Sequence, residues 1–333
     1  MRRPMPALLR ERLAEPGVLN APGAFNAMSA RIIEDAGSQV MALSTAAVSA
    51  TFLGKPDLGL ITLDEMVITA RYITAAVNTP LLVDAGTGHG NAINAMRTTE
   101  EIIRAGAAGM YIVDHGGGHG GSGPPIPLAE AVGKFAACVH VRDQLDPDFL
   151  IIAATNADNI DDIAERSKAY AAVGADMICP NRVCSVGDAL DVCQSIEGPV
   201  FLAQNDMASE LSLARLADLG VGIVAVGDGP LRSAAGAMLD YLDGFKAEDV
   251  AYVLRFLDEV KQHPTGNMHA FVGFPAIREL EEGDRAEVAF AAARISNPAS
   301  NTTLDGIPMA AKLLAILQAG GVYPLLEAEN LIS

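Results

Sequence analysis

The feature that most constrains the fold is a regular alternation of short apolar segments with amphipathic segments through residue 226. The apolar segments have the length of buried strands, and the amphipathic ones have helical periodicity. The predicted strands lie within residues 17–24, 39–44, 80–84, 109–114, 149–154, 175–179, 200–203 and 221–226. Eight strand–helix units in series predict an α/β fold of the (β/α)8 TIM-barrel type. A doubly wound open sheet is the alternative, but the chain offers no further strands after about residue 231.

The remainder of the chain is predicted to be helical. Four helices are expected, within residues 231–243, 247–262, 275–294 and 307–318. We therefore divide the chain into a barrel at 1–243 and a helical C-terminal extension at 244–333. Because the extension is long and apolar, it is expected to pack on the barrel and on a neighbouring subunit.

Composition excludes several classes of partner. Lys and Arg number 23 against 41 Asp and Glu, a net charge of −18. Such a chain is not expected to bind nucleic acid or an anionic membrane surface. No apolar run is long enough to cross a bilayer or to form a signal peptide. The four cysteines form no CxxC pair, which predicts free thiols and a cytoplasmic location.

Polar residues follow several predicted strands, most clearly after the third. Asp84 ends that strand and is followed by Gly86, Gly88 and Gly90 at alternate positions. An acid delivered into a glycine-rich loop at a carboxyl end is typical of an α/β ligand site. A tight turn with Asp84 as a helix cap is the equally weighted alternative.

Several blocks, in order, resemble the isocitrate lyase and phosphoenolpyruvate mutase superfamily. They are Pro22-Gly-Ala-Phe-Asn-Ala27, Leu43-Ser-Thr-Ala-Ala-Val-Ser49, Gly54-Lys-Pro-Asp-Leu-Gly59, Asp84-Ala-Gly-Thr-Gly-His-Gly-Asn91, Arg104-Ala-Gly-Ala-Ala-Gly109 and Asp148-Phe-Leu-Ile-Ile-Ala153. The resemblance spans about residues 22–243 and implies a (β/α)8 barrel whose last helix is exchanged between subunits of a dimer or tetramer.

The resemblance also implies chemistry. Members act on small anionic 2-oxo or 2-hydroxy carboxylates and break or make a C–C or P–C bond through an enolate-like intermediate. A Mg²⁺ ion at the barrel mouth polarises the carbonyl. By position, the metal ligands are expected to be Asp84, Asp114 and Asp57, bound directly or through water.

The chain departs from the family pattern at charged positions. Gly86 replaces the second acid of the third strand, and Val113 replaces a glutamate on the fourth. On the fifth strand, Ala154 replaces a substrate-binding arginine and Asn156 replaces an acid. A glycine-rich run at 116–122 replaces the family's lid motif. The changes predict a site rebuilt for a different or less charged substrate, or a site no longer used.

Three histidines are candidates for proton transfer. His119 lies in the glycine-rich run and is the best candidate for a lid donor, although that run is equally consistent with a plain flexible loop. His89 occupies a position where relatives carry an aromatic residue that packs or lines the pocket, and His115 could be only a loop donor. Together with Asp84 and Asp114, these histidines could form a mixed site for Mn²⁺ or Zn²⁺.

Substrate contacts are predicted from neutral groups at the mouth. Ser44, Thr45 and Ala46 match the segment that offers hydroxyl and backbone N–H groups to a substrate carboxylate. Gly86, Asn91 and Asn156 complete the predicted lining. Arg182 could replace the cation lost at Ala154, but a surface arginine is the simpler interpretation.

Three functions remain open on sequence alone. The first is a divergent lyase with Asp84 and Asp114 at the metal. The second is a metal-independent hydrolase, isomerase or decarboxylase, in which the histidines and Asn156 act on the substrate. The third is a non-catalytic binding or scaffold protein that keeps the barrel for assembly.

Overall fold

A computed structural model describes residues 3–116, 123–181, 186–203, 212–282, 287–289, 294–297 and 302–305. The chain divides into two compact units, Met1–Asp240 and Tyr241–Ser333. Of the predicted site residues, His119 and Arg182 lie outside the described residues, as does the helix predicted at 307–318.

The first unit contains eight parallel strands. They are β1 Leu19–Pro22, β2 Met41–Leu43, β3 Leu81–Asp84, β4 Gly109–Val113, β5 Leu150–Thr155, β6 Met177–Pro180, β7 Val200–Ala203 and β8 Val221–Val226. Their order is β1-β8-β7-β6-β5-β4-β3-β2. β1 and β2 stand at the two ends of this order. A parallel bridge between Gly23 and Ala42 joins them, and Ala24 N donates to Ala42 O at 2.8 Å. The predicted (β/α)8 barrel is therefore confirmed, and the open sheet is wrong.

Helices precede, connect and surround the strands. They are α1 Met5–Leu13, α2 Ala27–Asp35, α3 Thr45–Val48, α4 Leu63–Ala76, α5 Ala92–Arg104, α6 Leu128–Leu145, α7 Ile160–Ala172, α8 Val186–Ser195 and α9 Leu213–Asp218. Helix α4 begins at a capping box: Thr62 N donates to Glu65 Oε2 at 2.8 Å, and Glu65 N donates to Thr62 Oγ1 at 3.3 Å. These bonds satisfy amides that the first turn leaves unpaired.

Strand alternation divides the core into two layers. One layer lies between strands and helices and includes Met110 and Ile112. The other fills the barrel and includes Leu82, Val113 and Ile152, with Leu9 of α1 packed in the same cluster. Because side chains alternate along a strand, the inward positions near the carboxyl ends face the mouth of the barrel.

The second unit corrects part of the sequence prediction. The helices of this region are α10 Gly229–Glu248, α11 Val250–Glu259, α12 Met268–Phe271 and α13 Phe274–Glu282, and α10 contains the boundary between the units. A three-stranded antiparallel sheet follows: β9 Glu287–Ala289, β10 Arg294–Asn297 and β11 Thr302–Asp305.

The helix predicted at 275–294 is therefore too long, and the expectation of no further strands is wrong. Ile295 pairs with Val288 on one side and with Leu304 on the other. Each strand has only three or four residues. Its alternation of apolar and polar side chains is therefore too short to indicate a strand among neighbouring residues that favour a helix. Cross-strand pairs, which are not visible in a local window, decide the structure here.

Candidate active site

Thr45 joins two carboxylates at the barrel mouth. Its Oγ1 lies 2.7 Å from Asp57 Oδ2 and 3.0 Å from Asp84 Oδ2. Since the hydroxyl has one hydrogen, it donates to one carboxylate at a time. Asp84 also accepts hydrogen bonds from the backbone N–H of Gly86, at 2.8 Å, and of Thr45, at 3.4 Å. Asp57 and Asp84, twenty-seven residues apart in sequence, thus converge on one point.

Local structure explains how the pair is held. Ser44 caps the short helix α3, and its Oγ accepts from Ala47 N at 3.0 Å. Ser49 Oγ donates to the carbonyls of Lys55 and Pro56, at 3.0 and 3.1 Å, which holds the loop that carries Asp57. Gly86, which donates to Asp84, adopts a φ of 53°, a conformation that favours glycine.

The site is rich in negative charge. Burial raises the pKa of Asp84 to about 6, and nearby Asp57 adds to this effect. A third acid, Asp228 after β8, has Oδ1 3.5 Å from Ser44 Oγ. Carboxylates this close repel one another in a partly desolvated place. A cation bound between them would relieve that repulsion.

The residues present fit a hard divalent cation. Mg²⁺ is often held by one or two carboxylates and takes its other oxygen ligands from water and substrate. Asp57 and Asp84 supply two such carboxylates. Over the described parts of the chain, no group of three or more His, Cys, Asp or Glu side chains forms a more complete metal site.

Asp114 directly follows β4 and faces away from the barrel interior. Tyr111 and Val113 belong to the barrel interior, so Asp114 points towards the helices. Its Oδ2 accepts from Tyr170 Oη at 2.6 Å and from Arg166 Nη1 at 3.2 Å, and its Oδ1 accepts from Asn156 N at 2.9 Å. The structure therefore brings Asp57 and Asp84 together but does not place Asp114 in contact with them.

His89 is held in an unusual conformation between two glycines. Its φ is 57°, which a non-glycine residue rarely adopts. In the described structure its Nε2 is buried without a hydrogen-bond partner, and burial lowers the pKa of the imidazole. The ring is therefore neutral near pH 7, and its role in catalysis stays a prediction.

The other predicted residues have structural contacts of their own. His115 is buried and forms a bridge with Pro125. The side chain of Asn91 caps α5, where its Oδ1 accepts from the amides of Ile93, at 3.0 Å, and Asn94, at 3.3 Å. A substrate role for Asn91 would compete with this cap.

Besides Asp228, two residues at the mouth, Tyr111 and Asn181, were missed by the sequence analysis. Tyr111 Oη donates to Asn181 Oδ1 at 2.7 Å, and Asn181 Nδ2 donates to Asn156 Oδ1 at 2.8 Å. Register pairs Tyr111 with Asp84, so both lie on the inner face. Strand alternation offered the signal, because positions 111 and 113 share a face, as do 179 and 181.

Known proteins resemble both the sequence and the fold. A family model of phosphoenolpyruvate phosphomutase matches residues 9–246. The chain is 36% identical over 240 residues to an oxaloacetate decarboxylase of Pseudomonas fluorescens, covering 70% of this chain and 82% of that protein. It is 34% identical over 252 residues to 2,3-dimethylmalate lyase of Eubacterium barkeri, covering 73% and 86%.

Among solved structures, a phosphonopyruvate hydrolase in complex with oxalate and Mg²⁺ superposes with a TM-score of 0.76. The identity is 26%, and the match covers 84% of this chain and 98% of that one. These matches confirm the prediction that the chain is a lyase-type enzyme. With the predicted blocks, the barrel and a matching family model all in place, the chain belongs to the phosphoenolpyruvate mutase/isocitrate lyase superfamily.

Proposed function

We propose that this enzyme uses Mg²⁺ to cleave or form a C–C bond next to the carbonyl of a small 2-oxo or 2-hydroxy carboxylate. The observation that carries the proposal is the convergence of Asp57 and Asp84 on the Thr45 hydroxyl. The decarboxylase, lyase and hydrolase names of its relatives support the substrate class.

Asp57 and Asp84 would hold the metal, directly or through water. Bound there, Mg²⁺ would polarise the substrate carbonyl and stabilise negative charge as an enolate forms. Asp114 is assigned a structural role instead, because three buried donors already engage its two oxygens.

The Ser44–Ala46 segment would orient the substrate carboxylate. In the first turn of α3, the amide of Thr45 donates to Asp84 and the amide of Ala47 donates to Ser44. The amide of Ala46 lies between them and is the one we assign to the substrate. Binding a carboxylate beside three acids needs the metal charge, since the acids alone would repel it.

Bond cleavage also needs proton transfer. Cleaving a 2-hydroxy acid between C2 and C3 requires a base for the hydroxyl proton and an acid for the carbanion that forms. His89 is one candidate, because its neutral ring has a buried nitrogen. His119 and His115 stay as predicted alternatives in the loop after β4.

The metal requirement can be tested by proton exchange. Enolate formation from pyruvate exchanges the C3 protons with deuterated water, which NMR detects directly. We expect exchange with Mg²⁺ and none in EDTA. Asp84→Asn and Asp57→Asn should each lower the rate at least about 100-fold, a loss typical of removed transition-state stabilisation. Asp64→Asn, at an exposed acid of α4, is the matched control.

Other outcomes separate the competing functions. Exchange or turnover that survives EDTA and Asp84→Asn would favour metal-independent chemistry on the same barrel. Absence of exchange, together with absence of oxalate binding in the presence of Mg²⁺, would favour a non-catalytic homologue. Oxalate is a suitable probe because it mimics a planar enolate and accompanies Mg²⁺ in a related structure.

We also propose that the chain works as a homo-oligomer in the cytoplasm. No residue of α10 or α11 is buried, and large apolar side chains such as Leu239, Leu254 and Leu257 are exposed. A second copy exchanging its last helix would cover such faces. Sedimentation of the full chain should give a dimer or tetramer, and a monomer at micromolar concentration would contradict this.

The described structure contains no helix long and apolar enough to span a membrane.

A further inference from the structure

Beside Asp84, the inner wall of the barrel carries a group of side chains that is polar but uncharged. It is formed by Tyr111, Asn181 and Asn156, which bond in that order. Asn156 Nδ2 in turn donates to the Gly123 carbonyl at 2.8 Å, and Cys179 Sγ donates to Asn181 Oδ1 at 3.4 Å. We call the first three residues the neutral wall. None of these three side chains carries a charge.

The hydrogen-bond direction along this wall has one consistent solution. The Gly123 carbonyl only accepts, so Asn156 must present its Nδ2 to it and its Oδ1 to Asn181. Asn181 must then present Nδ2 to Asn156 and Oδ1 to Tyr111, whose hydroxyl has to donate. The orientation of both amides follows from one backbone carbonyl rather than from an arbitrary choice.

This direction determines what the wall offers to a ligand. The Tyr111 hydrogen is used on Asn181, so the phenol oxygen presents a lone pair. Nδ2 of Asn181 has two hydrogens, and within the described contacts only one of them has a partner. The wall therefore offers one acceptor and one donor. Both side chains are half-buried and accessible from the mouth.

The wall also stays neutral. An amide side chain does not ionise, and a phenol ionises only near about pH 10. Asp84 stands opposite Tyr111 on the neighbouring strand. A ligand carboxylate at this wall would meet a lone pair and a nearby acid, and the three wall residues supply no positive charge to balance it, which is a costly arrangement.

We propose that the neutral wall selects an uncharged polar substituent on the substrate carbon next to the carbonyl, such as an amide or hydroxyl, and rejects a second carboxylate. A primary amide fits both positions: its oxygen accepts from Asn181, and its nitrogen donates to Tyr111. This inference rests on the proposed function, because the 2-oxo carboxylate head must bind at Asp57, Asp84 and Ser44–Ala46.

A matched pair of ligands tests directly whether the wall discriminates against a charged substituent. 2-Oxosuccinamate and oxaloacetate have the same size and the same head, and they differ in a terminal amide or carboxylate. Calorimetric titration of the full-length protein with Mg²⁺ should give a dissociation constant at least about tenfold lower for 2-oxosuccinamate, since a buried mismatched polar group discriminates strongly. Equal affinities, or tighter binding of oxaloacetate, would overturn the proposal.

Variants of the wall residues test whether these residues cause the preference for the amide ligand. Tyr111→Phe keeps the ring but releases the Asn181 amide, so the preference for the amide ligand should fall at least about threefold. Asn181→Asp adds a charge and should weaken oxaloacetate further. Tyr72→Phe, at an exposed tyrosine of α4, should change neither constant. A preference that Tyr111→Phe and Asn181→Asp leave untouched would show that other residues set it.

Oxalate separates this inference from the proposed function, because it carries the head group without the distal substituent. Oxalate binding with Mg²⁺, but no preference between the matched ligands, rejects the neutral wall alone. Failure of oxalate and of both longer ligands to bind would reject the proposed function and this inference together.

Discussion

Arg166 and Asp114 form a buried ion pair behind the barrel wall, with Nη1 of the arginine 3.2 Å from Oδ2 of the aspartate. Arg166 also donates to the Ile126 carbonyl at 3.0 Å and to Asp162 at 2.8 Å. The pair thus ties the end of β4, the start of α6 and helix α7 together. The ion pair gives Asp114 a structural role, whereas its position in the sequence alone suggests a metal ligand.

Removing the arginine should destabilise the fold strongly. Arg166→Leu leaves the Asp114 carboxylate buried without its cation, which costs about 3–5 kcal/mol. Urea unfolding should show this loss, and Asp114→Asn added to Arg166→Leu should restore part of it. Arg104→Leu, which breaks a surface pair with Glu100, should cost about 1 kcal/mol or less. Equal losses for the two arginines would contradict the buried role.

Asp84 should destabilise the metal-free protein above its pKa. Its pKa rises from 3.8 to about 6 on folding, so the folded state binds the proton more tightly than the unfolded chain does. Stability therefore falls as pH rises through this interval and changes no further above it. In EDTA, Asp84→Asn should raise Tm at pH 7.5 and have a much smaller effect at pH 4. A Tm gain that is independent of pH would contradict this explanation.

The Thr45 hydroxyl should contribute more to Mg²⁺ affinity than the Thr45 methyl group does. Thr45→Val removes the bridge between Asp57 and Asp84, so Mg²⁺ affinity should fall about 10-fold or more, as for other residues that orient metal ligands. Thr45→Ser keeps the hydroxyl and should stay near wild type in calorimetric titration. Thr51→Val, whose hydroxyl donates only to backbone carbonyls of α3, is the control. A Thr45→Ser defect as large as that of Thr45→Val would point to packing instead.

Gly88 should be among the least replaceable residues of the loop after β3. Its φ is 77°, and an added Cβ would lie 2.8 Å from Ile112 Cδ1 and 3.0 Å from Ala95 Cβ. Gly37 has a similar φ of 83° with nothing within 4 Å. Gly37→Ala should cost about 1–2 kcal/mol for the backbone conformation alone, and Gly88→Ala should cost clearly more in urea unfolding. Similar costs would mean that the loop relaxes freely.

Local sequence signals were reliable where the physics is local. The capping box at Thr62 and Glu65 depends on residues within one turn, and it forms as the Thr-x-x-Glu pattern indicates. The metal prediction for Asp114 depended on family position. Strand alternation favours the opposite conclusion, because Val113 faces inwards and its neighbour therefore faces the helices.

The sequence by itself determined the barrel, because eight apolar strands separated by amphipathic helices can all be buried in a closed parallel sheet. It also identified Thr45, Asp57 and Asp84 as mouth residues. Only the tertiary structure decided which polar groups meet: Tyr111 contacts Asn181 seventy positions away, and Asp114 contacts Arg166 of α7 fifty-two positions away. Barrel closure brings together residues that no local pattern relates, so the character of the site depends on strand register and facing.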